Sequence, residues 1–367
     1  MIVYLVTMGL SMFFCWQMQL AERSSSRLRD SSFSCNFWFY LAVIVLGIVV
    51  STRHYVGTDY GNYIDVYLIN SWSSYGEIME QPEALFGLLN RWCFLTFQDY
   101  IPVFVVSGVL TVWLIVYGIK RSSSNPWLSV FLFIACMYYF DLFNGMRQMI
   151  STGIMFAAYP LLQKKKWIPL IILTAIATGF HASSYIVLLV FLFAAYSPAR
   201  SGISLLVVLA FSACVLMYGE FADYLIEALN ATESKYINYE ETLAAAGYGA
   251  NALRFGLAAV PVLFGWFTWP ILRRQREDVG ILWNISLINS MFMLLATRHW
   301  LFARFSMFFG VFNLLLWPEI IKCFDRRSRQ LMIFGILCVY FLYFWLIVHV
   351  DSNLLPYRSW LFGGVYG

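Results

Sequence analysis

The sequence predicts an all-α, polytopic integral membrane protein with about 12 transmembrane helices, some of them short or broken. Of the 367 residues, 61% are hydrophobic and only 12% are charged, and the mean hydropathy is +0.70. A soluble domain carries roughly 25% charged residues, so this chain has too few charges to cover a surface in water. Its apolar runs are continuous, as at residues 41–50 and 205–216, whereas a β-barrel would alternate apolar and polar residues.

Each apolar run predicts one helix of a single transmembrane domain over residues 1–367. At about 20 residues per span, a chain of this length holds roughly 10–14 helices. The predicted helices lie at residues 2–20, 36–52, 100–119, 126–142, 148–163, 167–180, 183–198, 202–219, 251–272, 279–297, 300–317 and 331–350. Two longer segments are predicted on the outer side: residues 53–99, an outer loop with an amphipathic helix, and residues 220–250, a second outer loop.

Clusters of lysine and arginine indicate the orientation, because positive charge is retained on the cytoplasmic side. Placing residues 21–35 in the cytoplasm puts every basic cluster there. The clusters are Arg23/Arg27/Arg29, Lys120/Arg121, Lys164–Lys166, Arg200, Arg273/Arg274/Arg276 and Lys322/Arg326/Arg327/Arg329. We therefore expect a multi-pass protein of a bacterial cytoplasmic (inner) membrane, with both termini on the periplasmic or extracellular side.

Residues 167–198 test this orientation. One long helix would place Lys164–Lys166 and Arg200 on opposite sides, whereas two short helices broken near residues 179–181 keep both in the cytoplasm. Each half has only about 14–16 residues, which is short for a full span. Short helices that meet at a polar point build sites near the membrane surface, although a tight hairpin without function fits the same pattern. His181 lies at this break.

Arginines outside the cytoplasmic clusters point to an anionic ligand. They sit singly at the outer ends of helices, where the orientation signal disfavours positive charge. The basic residues in this outer set are Arg53, Arg91, Arg147, Lys235, Arg254, Arg298, Arg304 and Arg358. A guanidinium suits bidentate phosphate recognition at a partly dry site, so convergent arginines favour a phosphate or pyrophosphate ligand. Snorkelling anchors or pairs with nearby acids are the alternative.

The strongest local motif follows the second predicted helix, at residues 53–63, and reads RHYVGTDYGNY. Gly57 permits a tight turn, after which Arg53 and Asp59 would face one cavity. Downstream, residues 82–90 form an amphipathic stretch that opens with proline and Glu83. A carboxylate there also fits a simple helix start.

These motifs resemble the EpsG family of bacterial polysaccharide polymerases, relatives of the Wzy O-antigen polymerases. The first resemblance is Arg-x-x-x-Gly-Thr-Asp-x-x-x-Tyr, followed about 20 residues later by Glu83 and an aromatic-rich helix. Four more short motifs follow in order along the chain. They are Asn144–Gln148, His181–Tyr185, Arg304-Phe305 and Asn353–Arg358, the last containing Pro356-Tyr357.

The resemblance implies the GT-C-like fold of O-antigen polymerases and ligases, and glycosyl transfer between lipid carriers. The enzyme would move a growing glycan from undecaprenyl pyrophosphate onto a new lipid-linked repeat unit, on the periplasmic or outer face. The implied partners are undecaprenyl-pyrophosphate-linked oligosaccharides and the lipid bilayer, with a chain-length regulator protein left open and no nucleic acid. O-antigen, capsule and exopolysaccharide all fit this resemblance.

Such a transfer needs a base near the acceptor hydroxyl and positive charge near the departing pyrophosphate. His181, Asp59 and Glu83 are the candidate catalytic residues, with His181 ranked first because it lies at the helix break. The predicted pyrophosphate clamp consists of Arg147, Arg254, Arg298 and Arg304, with Arg53, Arg358 and Tyr357 as further substrate-binding candidates. No cofactor is expected, and transfer is expected to be metal-independent because no cluster shows metal-ligand spacing.

Three rival functions remain open. An O-antigen ligase or other lipid-linked glycosyltransferase would use the same arginines and histidine with a different acceptor. A membrane acyltransferase would need a histidine exposed to an acyl donor. A polysaccharide transporter would carry polar residues deep inside its helices and often internal repeats, which the sequence does not show.

Overall fold

The computed structural model describes residues 1–25, 31–218, 249–250, 252–350 and 353–361. Regular structure in these ranges is helical, which confirms the all-α class. The first helices, α1–α13, are Ile2–Ser25, Ser31–Thr52, Tyr60–Trp72, Tyr75–Met79, Ala84–Phe97, Ile101–Ser122, Pro126–Ala135, Tyr138–Asn144, Met146–Ala157, Tyr159–Gln163, Trp167–Phe180, Tyr185–Tyr196 and Gly202–Leu216. The later helices, α14–α18, are Ala252–Gln275, Val279–Ala296, Leu301–Gly310, Asn313–Lys322 and Arg326–Val350.

Within the described residues, six helices are long and apolar enough to cross a membrane: α1, α2, α6, α14, α15 and α18. Two bent pairs, α7 with α8 at 48° and α16 with α17 at 52°, raise this number to eight if each pair is one span. Shorter apolar helices, such as α5, α11 and α13, have 10–17 residues. The chain is therefore a polytopic membrane protein, while about 12 spans and a GT-C-like fold stay predictions.

The chain divides into two compact units, which we describe separately: Met1–Leu189 with Trp317–Gly367, and Val190–Leu316. In the first unit, α1 packs on α2 and α7, α2 packs on α6, and α6 packs on α9. Helix α9 packs on α11, which packs on α5. This series of contacts brings together three helices that are far apart in sequence. The prediction of a single transmembrane domain over 1–367 remains to be tested.

The second unit is built around α15, which packs on α13, α14 and α16. Its apolar core includes Trp283 and Leu287 of α15 and Val262 of α14. Buried polar side chains also join its helices: the hydroxyl of Ser306 on α16 donates to Oδ1 of Asn289 on α15 at 2.6 Å. Such bonds satisfy polar groups that lipid cannot hydrate.

The predicted outer loop at 53–99 contains three helices, α3–α5, rather than one. Helix α4 begins with a capping box in which Ser74 and Glu77 bind each other's backbone N–H groups. The second predicted outer loop, 220–250, lies outside the described residues except for its last two positions.

A C-terminal strap, residues 353–361, covers the turn between α2 and α3. The backbone N–H of His54 donates to the carbonyl of Arg358 at 3.0 Å, and that of Gly57 donates to the carbonyl of Asn353 at 3.2 Å. The Tyr4 hydroxyl on α1 donates to the Leu354 carbonyl at 2.8 Å. The strap therefore fixes the turn that carries the Gly-Thr-Asp motif.

Candidate functional site

Glu83 begins helix α5, but its carboxylate does not cap that helix. Its backbone carbonyl accepts the N–H groups of Phe86 and Gly87 at 3.0 and 3.2 Å, which starts the helical hydrogen bonding. The side chain instead points to His181 and Arg147, and only 16% of it is exposed. A charge that merely started the helix would face the first turn, so this carboxylate serves contacts beyond its own helix.

His181 lies at the break between α11 and the following helical turn, Ala182–Ser184. Its backbone is extended, with φ −149° and ψ 116°. Imidazole Nδ1 lies 2.7 Å from Oε1 of Glu83, and the same oxygen accepts the backbone N–H of Ala182 at 3.2 Å. The predicted break near residues 179–181 is confirmed, and the break is what turns His181 toward the carboxylate.

Gly179, in the last turn of α11, allows α5 to approach this break. A Cβ atom at that position would lie 2.6 Å from Cγ and 3.3 Å from Cβ of Leu85. Real Cβ atoms do not approach other carbons so closely, and Leu85 is two residues beyond Glu83. Position 179 therefore needs glycine if the Glu83 carboxylate is to lie beside His181.

Arg147 is the second residue of α9 and supplies positive charge to the same group. Its Nη1 donates to Oε2 of Glu83. The guanidinium carbon lies 6.0 Å from the ring centre of Tyr63 and 5.8 Å from that of Phe86. Because 36% of the Arg147 side chain is exposed, its remaining N–H groups are in reach of a ligand.

The environment holds Glu83 ionised. Burial alone would raise the pKa of its carboxyl, but the hydrogen bond from His181 and the charge of Arg147 act in the opposite direction. The N–H of Ala182 adds to them, and the net pKa lies below its ordinary value of 4.5. At neutral pH a carboxylate therefore bridges an imidazole and a guanidinium.

Gly57 and Asn144 connect the Gly-Thr-Asp turn to the start of α9. Gly57 has φ +95°, and a Cβ there would lie 2.7 Å from Oδ1 of Asn144. That oxygen accepts the backbone N–H of Thr58 at 2.7 Å. The Asn144 carbonyl also accepts the Tyr63 hydroxyl at 3.3 Å. Because Arg147 follows Asn144 by three residues, these hydrogen bonds fix the position of the start of α9 relative to the Gly-Thr-Asp turn.

Asp59 lies directly before α3 and is partly exposed. Its Oδ1 accepts the Thr58 hydroxyl at 3.5 Å. The charges of Asp59 and Arg147 both interact electrostatically with the Tyr63 hydroxyl. The structure thus places Asp59 near the Glu83 group without a direct bond to it. Its role as a catalytic residue stays a prediction.

Arg53 does not face a ligand cavity, which corrects the expectation from the motif. Its side chain is fully buried, and its guanidinium donates to the carbonyls of Val50 at 2.6 Å and Phe143 at 3.3 Å. Burial lowers the pKa of Arg53 to about 10. The residue pins the end of α2 to the end of α8, because both ends leave carbonyls without helical partners.

Tyr357 is engaged in a similar way within the strap. Its hydroxyl donates to the carbonyl of Val49 at 3.0 Å and lies 3.1 Å from the hydroxyl of Thr52. The neighbouring Arg358 is exposed. Partial burial lowers the pKa of His54, and the charge of Arg358 lowers it further. In this structure Tyr357 therefore fastens the strap to α2, while Arg358 is accessible.

Comparison with protein-family models identifies the family of this chain. A model described as the EpsG family matches residues 36–359, which is most of the chain. The protein belongs to the EpsG family. Members of this family are Wzy-type polysaccharide polymerases, so the resemblance found in the sequence motifs is confirmed. Searches of curated proteins and of solved structures found no match.

The other three arginines of the predicted clamp in this EpsG-family chain lie in the second unit. Arg254 is half-buried in the first turn of α14, and Arg298 is exposed after α15. The guanidinium of Arg304 on α16 lies 5.1 Å from the Trp300 ring centre. Because Arg147 belongs to the first unit, the convergence of these four arginines on one diphosphate stays a prediction.

Sequence reasoning named the three members of the Glu83 group but missed their supports. Asn144, Tyr63 and Gly179 were not predicted as functional residues. Asn144 carried a signal, since it stands before a glycine in a short motif that an EpsG-family resemblance had already marked. Tyr63 also carried a signal, because it is the last residue of the Arg-x-x-x-Gly-Thr-Asp-x-x-x-Tyr motif, whereas Gly179 acts through packing.

The described residues were compared with the side-chain arrangement that a metal site needs. Among them, no group of three or more histidine, cysteine, aspartate or glutamate side chains is arranged to hold a metal ion. Metal-independent transfer therefore stays a prediction for this EpsG-family member.

Proposed function

We propose that this protein polymerises oligosaccharide repeat units carried on undecaprenyl pyrophosphate, by glycosyl transfer at the outer face of the cytoplasmic membrane. The observation that carries the proposal is the Glu83 carboxylate, which binds both His181 and Arg147. A base and a cation held by one carboxylate are the two parts that transfer from a pyrophosphate donor needs.

His181 is proposed as the base. Its Nδ1–H donates to Glu83, so the lone pair of the neutral imidazole is on Nε2. Nε2 would take the proton of the acceptor hydroxyl while the hydroxyl oxygen forms a bond to C1 of the donor sugar. The ionised Glu83 would then stabilise the resulting imidazolium, as the carboxylate does in a serine–histidine–aspartate triad.

Arg147 is proposed to stabilise the leaving group. The bond between C1 and the diphosphate oxygen breaks, and its electron pair stays on the diphosphate. Arg147 uses Nη1 on Glu83, and the rest of its fork can bind the oxygen that gains charge.

The side of the membrane follows from helix α6. Its last turn carries Lys120 and Arg121, which favours a cytoplasmic end there. Its first residue, Ile101, then lies at the outer surface, and only three residues separate it from the end of α5. Glu83 belongs to the stretch of short helices that joins the end of α2 to the start of α6, and this placement supports an outward-facing site.

A gel of lipid-linked glycans from a deletion strain tests the proposal. We expect single repeat units on the lipid carrier, with long chains restored by the wild-type gene. Long chains that accumulate on undecaprenyl would instead indicate a ligase, and unchanged surface polysaccharide would contradict polymerase function.

Substitution of Arg147 tests the site within the same strain. Arg147→Lys keeps the charge but removes the guanidinium fork, so we expect shorter or fewer chains at unchanged protein level. Arg121→Lys, an exposed arginine at the cytoplasmic end of α6, is the matched control and should restore full length. Equal activity of the two variants would remove Arg147 from the site.

A further inference from the structure

Helices α3 and α5 expose an apolar surface that the Glu83 group does not use. Six side chains form it, and each is between 50% and 81% exposed. We call this surface the outer apolar end; its residues are Leu68, Ile69, Trp72, Trp92, Leu95 and Phe97. Exposed apolar clusters on a protein normally mark a contact with lipid or with another molecule.

The six side chains belong to two helices, α3 and α5, that pack on each other. Tyr63 and Phe86, near the two N-termini, have ring centres 6.0 Å apart, and Trp72 and Phe94, near the two C-termini, have ring centres 5.6 Å apart. Arg91 Nη1 also donates to the Ser71 carbonyl and closes the end of α3. The outer apolar end therefore lies in the last two turns of α3 and of α5.

The chain connection sets the depth of this surface. Phe97 ends α5, and the span α6 begins at Ile101. Four residues cover at most about 14 Å, whereas the hydrocarbon core is about 30 Å thick. Since Lys120 and Arg121 favour a cytoplasmic end for α6, the outer apolar end lies near the outer surface of the bilayer.

Length and composition exclude a second crossing here. Helices α3 and α5 have 13 and 14 residues, which is too short to span the hydrocarbon core. Among the charged side chains nearby, Asp99 accepts the Ile101 N–H at 3.0 Å and Glu77 is exposed on α4. Asp65 lies one turn before Ile69, toward the N-terminus of α3, at the edge of the apolar surface. Short helices with one apolar face and tryptophans at their ends are typical of the membrane interface.

We infer that the outer apolar end is immersed in the outer leaflet and holds the α3–α5 pair at the membrane surface. A carbohydrate platform is the competing use of exposed Trp72 and Trp92, but stacking on sugars needs flat rings. Three of the six side chains are aliphatic, which favours acyl chains. The inference concerns only where these helices lie, so it does not depend on the proposed chemistry.

Spin-label depth measurement tests this inference on the full chain in nanodiscs of phosphatidylethanolamine and phosphatidylglycerol. Nitroxides at Ile69→Cys and Leu95→Cys should relax more with oxygen than with a water-soluble nickel complex. Glu80→Cys, which is exposed at the end of α4 and lies outside the apolar surface, is the control and should show the reverse. The unsubstituted protein supplies the background of the native thiols, of which Cys338 is exposed.

Two outcomes would overturn the inference. Stronger relaxation by the nickel complex at both Ile69→Cys and Leu95→Cys would place the surface in water, as a carbohydrate platform requires. Equal behaviour at Glu80→Cys and Ile69→Cys, in either sense, would show that the outer apolar end is no deeper in lipid than the rest of the outer segment.

Discussion

Replacing Glu83 with glutamine separates its role as an anion from its role as a hydrogen-bond acceptor. In the variant, amide oxygen Oε1 can still accept from His181 and from the Ala182 N–H. The amide nitrogen takes the place of Oε2 and points a donor at the donor Nη1 of Arg147. Glu83→Gln should therefore keep the fold, release Arg147 and leave the imidazole without a counter-charge.

The magnitudes favour an effect on activity over one on stability. The bond with His181 changes from charged to neutral, which costs about 1 kcal/mol. Arg147 is more than a third exposed, so solvent screening limits its pair to about 0–1 kcal/mol. A total of about 1–2 kcal/mol leaves a typical protein folded, since stabilities are about 5–15 kcal/mol. Loss of base catalysis, by contrast, lowers the rate about 10²–10⁴-fold.

The assay combines chain-length gels in the deletion strain with thermal unfolding of the purified variant. We expect single repeat units and a melting temperature within a few degrees of wild type for about 1–2 kcal/mol. Glu80→Gln, three residues upstream and exposed, should keep full-length chains. Full-length chains from Glu83→Gln would refute the reasoning, and so would a loss of chains explained by absent protein.

Three further predictions concern the supports of the site. Gly57→Ala forces a side chain into φ +95° against Asn144 and should lower the unfolding free energy by about 1–3 kcal/mol, whereas Gly61→Ala meets nothing within 4 Å and should melt no lower than wild type. Arg53→Lys leaves buried carbonyls without their guanidinium donors and should lower the unfolding free energy by about 1–3 kcal/mol. An unchanged melting temperature would contradict the role of Arg53 in joining the ends of α2 and α8. The folded pKa of Glu83 is depressed, so its stabilisation is present above pH 4.5 and is lost as pH falls through the lower folded value. The difference in melting temperature between wild type and Glu83→Gln should therefore shrink below pH 4.5. A constant difference would contradict this prediction.

Charge placement allowed part of the fold to be predicted from sequence. The break at His181 followed from keeping Lys164–Lys166 and Arg200 on one side of the membrane, and the structure confirms it. The break between α7 and α8 was not predicted, because residues 126–142 are apolar on both sides of it. It occurs at Met137, whose φ of 71° ends the helix, and nothing in a run of apolar residues signals that conformation.

The members of the site could be named from sequence, but their arrangement could not. Glu83 lies 64 residues from Arg147 and 98 from His181, and only the packing of α5, α9 and α11 brings them together. Arg53 shows the opposite case. It stands in the most distinctive motif, yet its guanidinium serves backbone carbonyls, since a helix end in lipid needs donors as much as a ligand does.

Polymerisation by a His181→Ala variant is the most direct test of the Glu83 group as the reaction site. The variant should be produced in the deletion strain at wild-type level and tested on gels of lipid-linked glycans. We expect only single repeat units on the carrier, with His54→Ala as the control that still makes long chains. Chains of normal length from His181→Ala would show that the reaction takes place elsewhere in the protein.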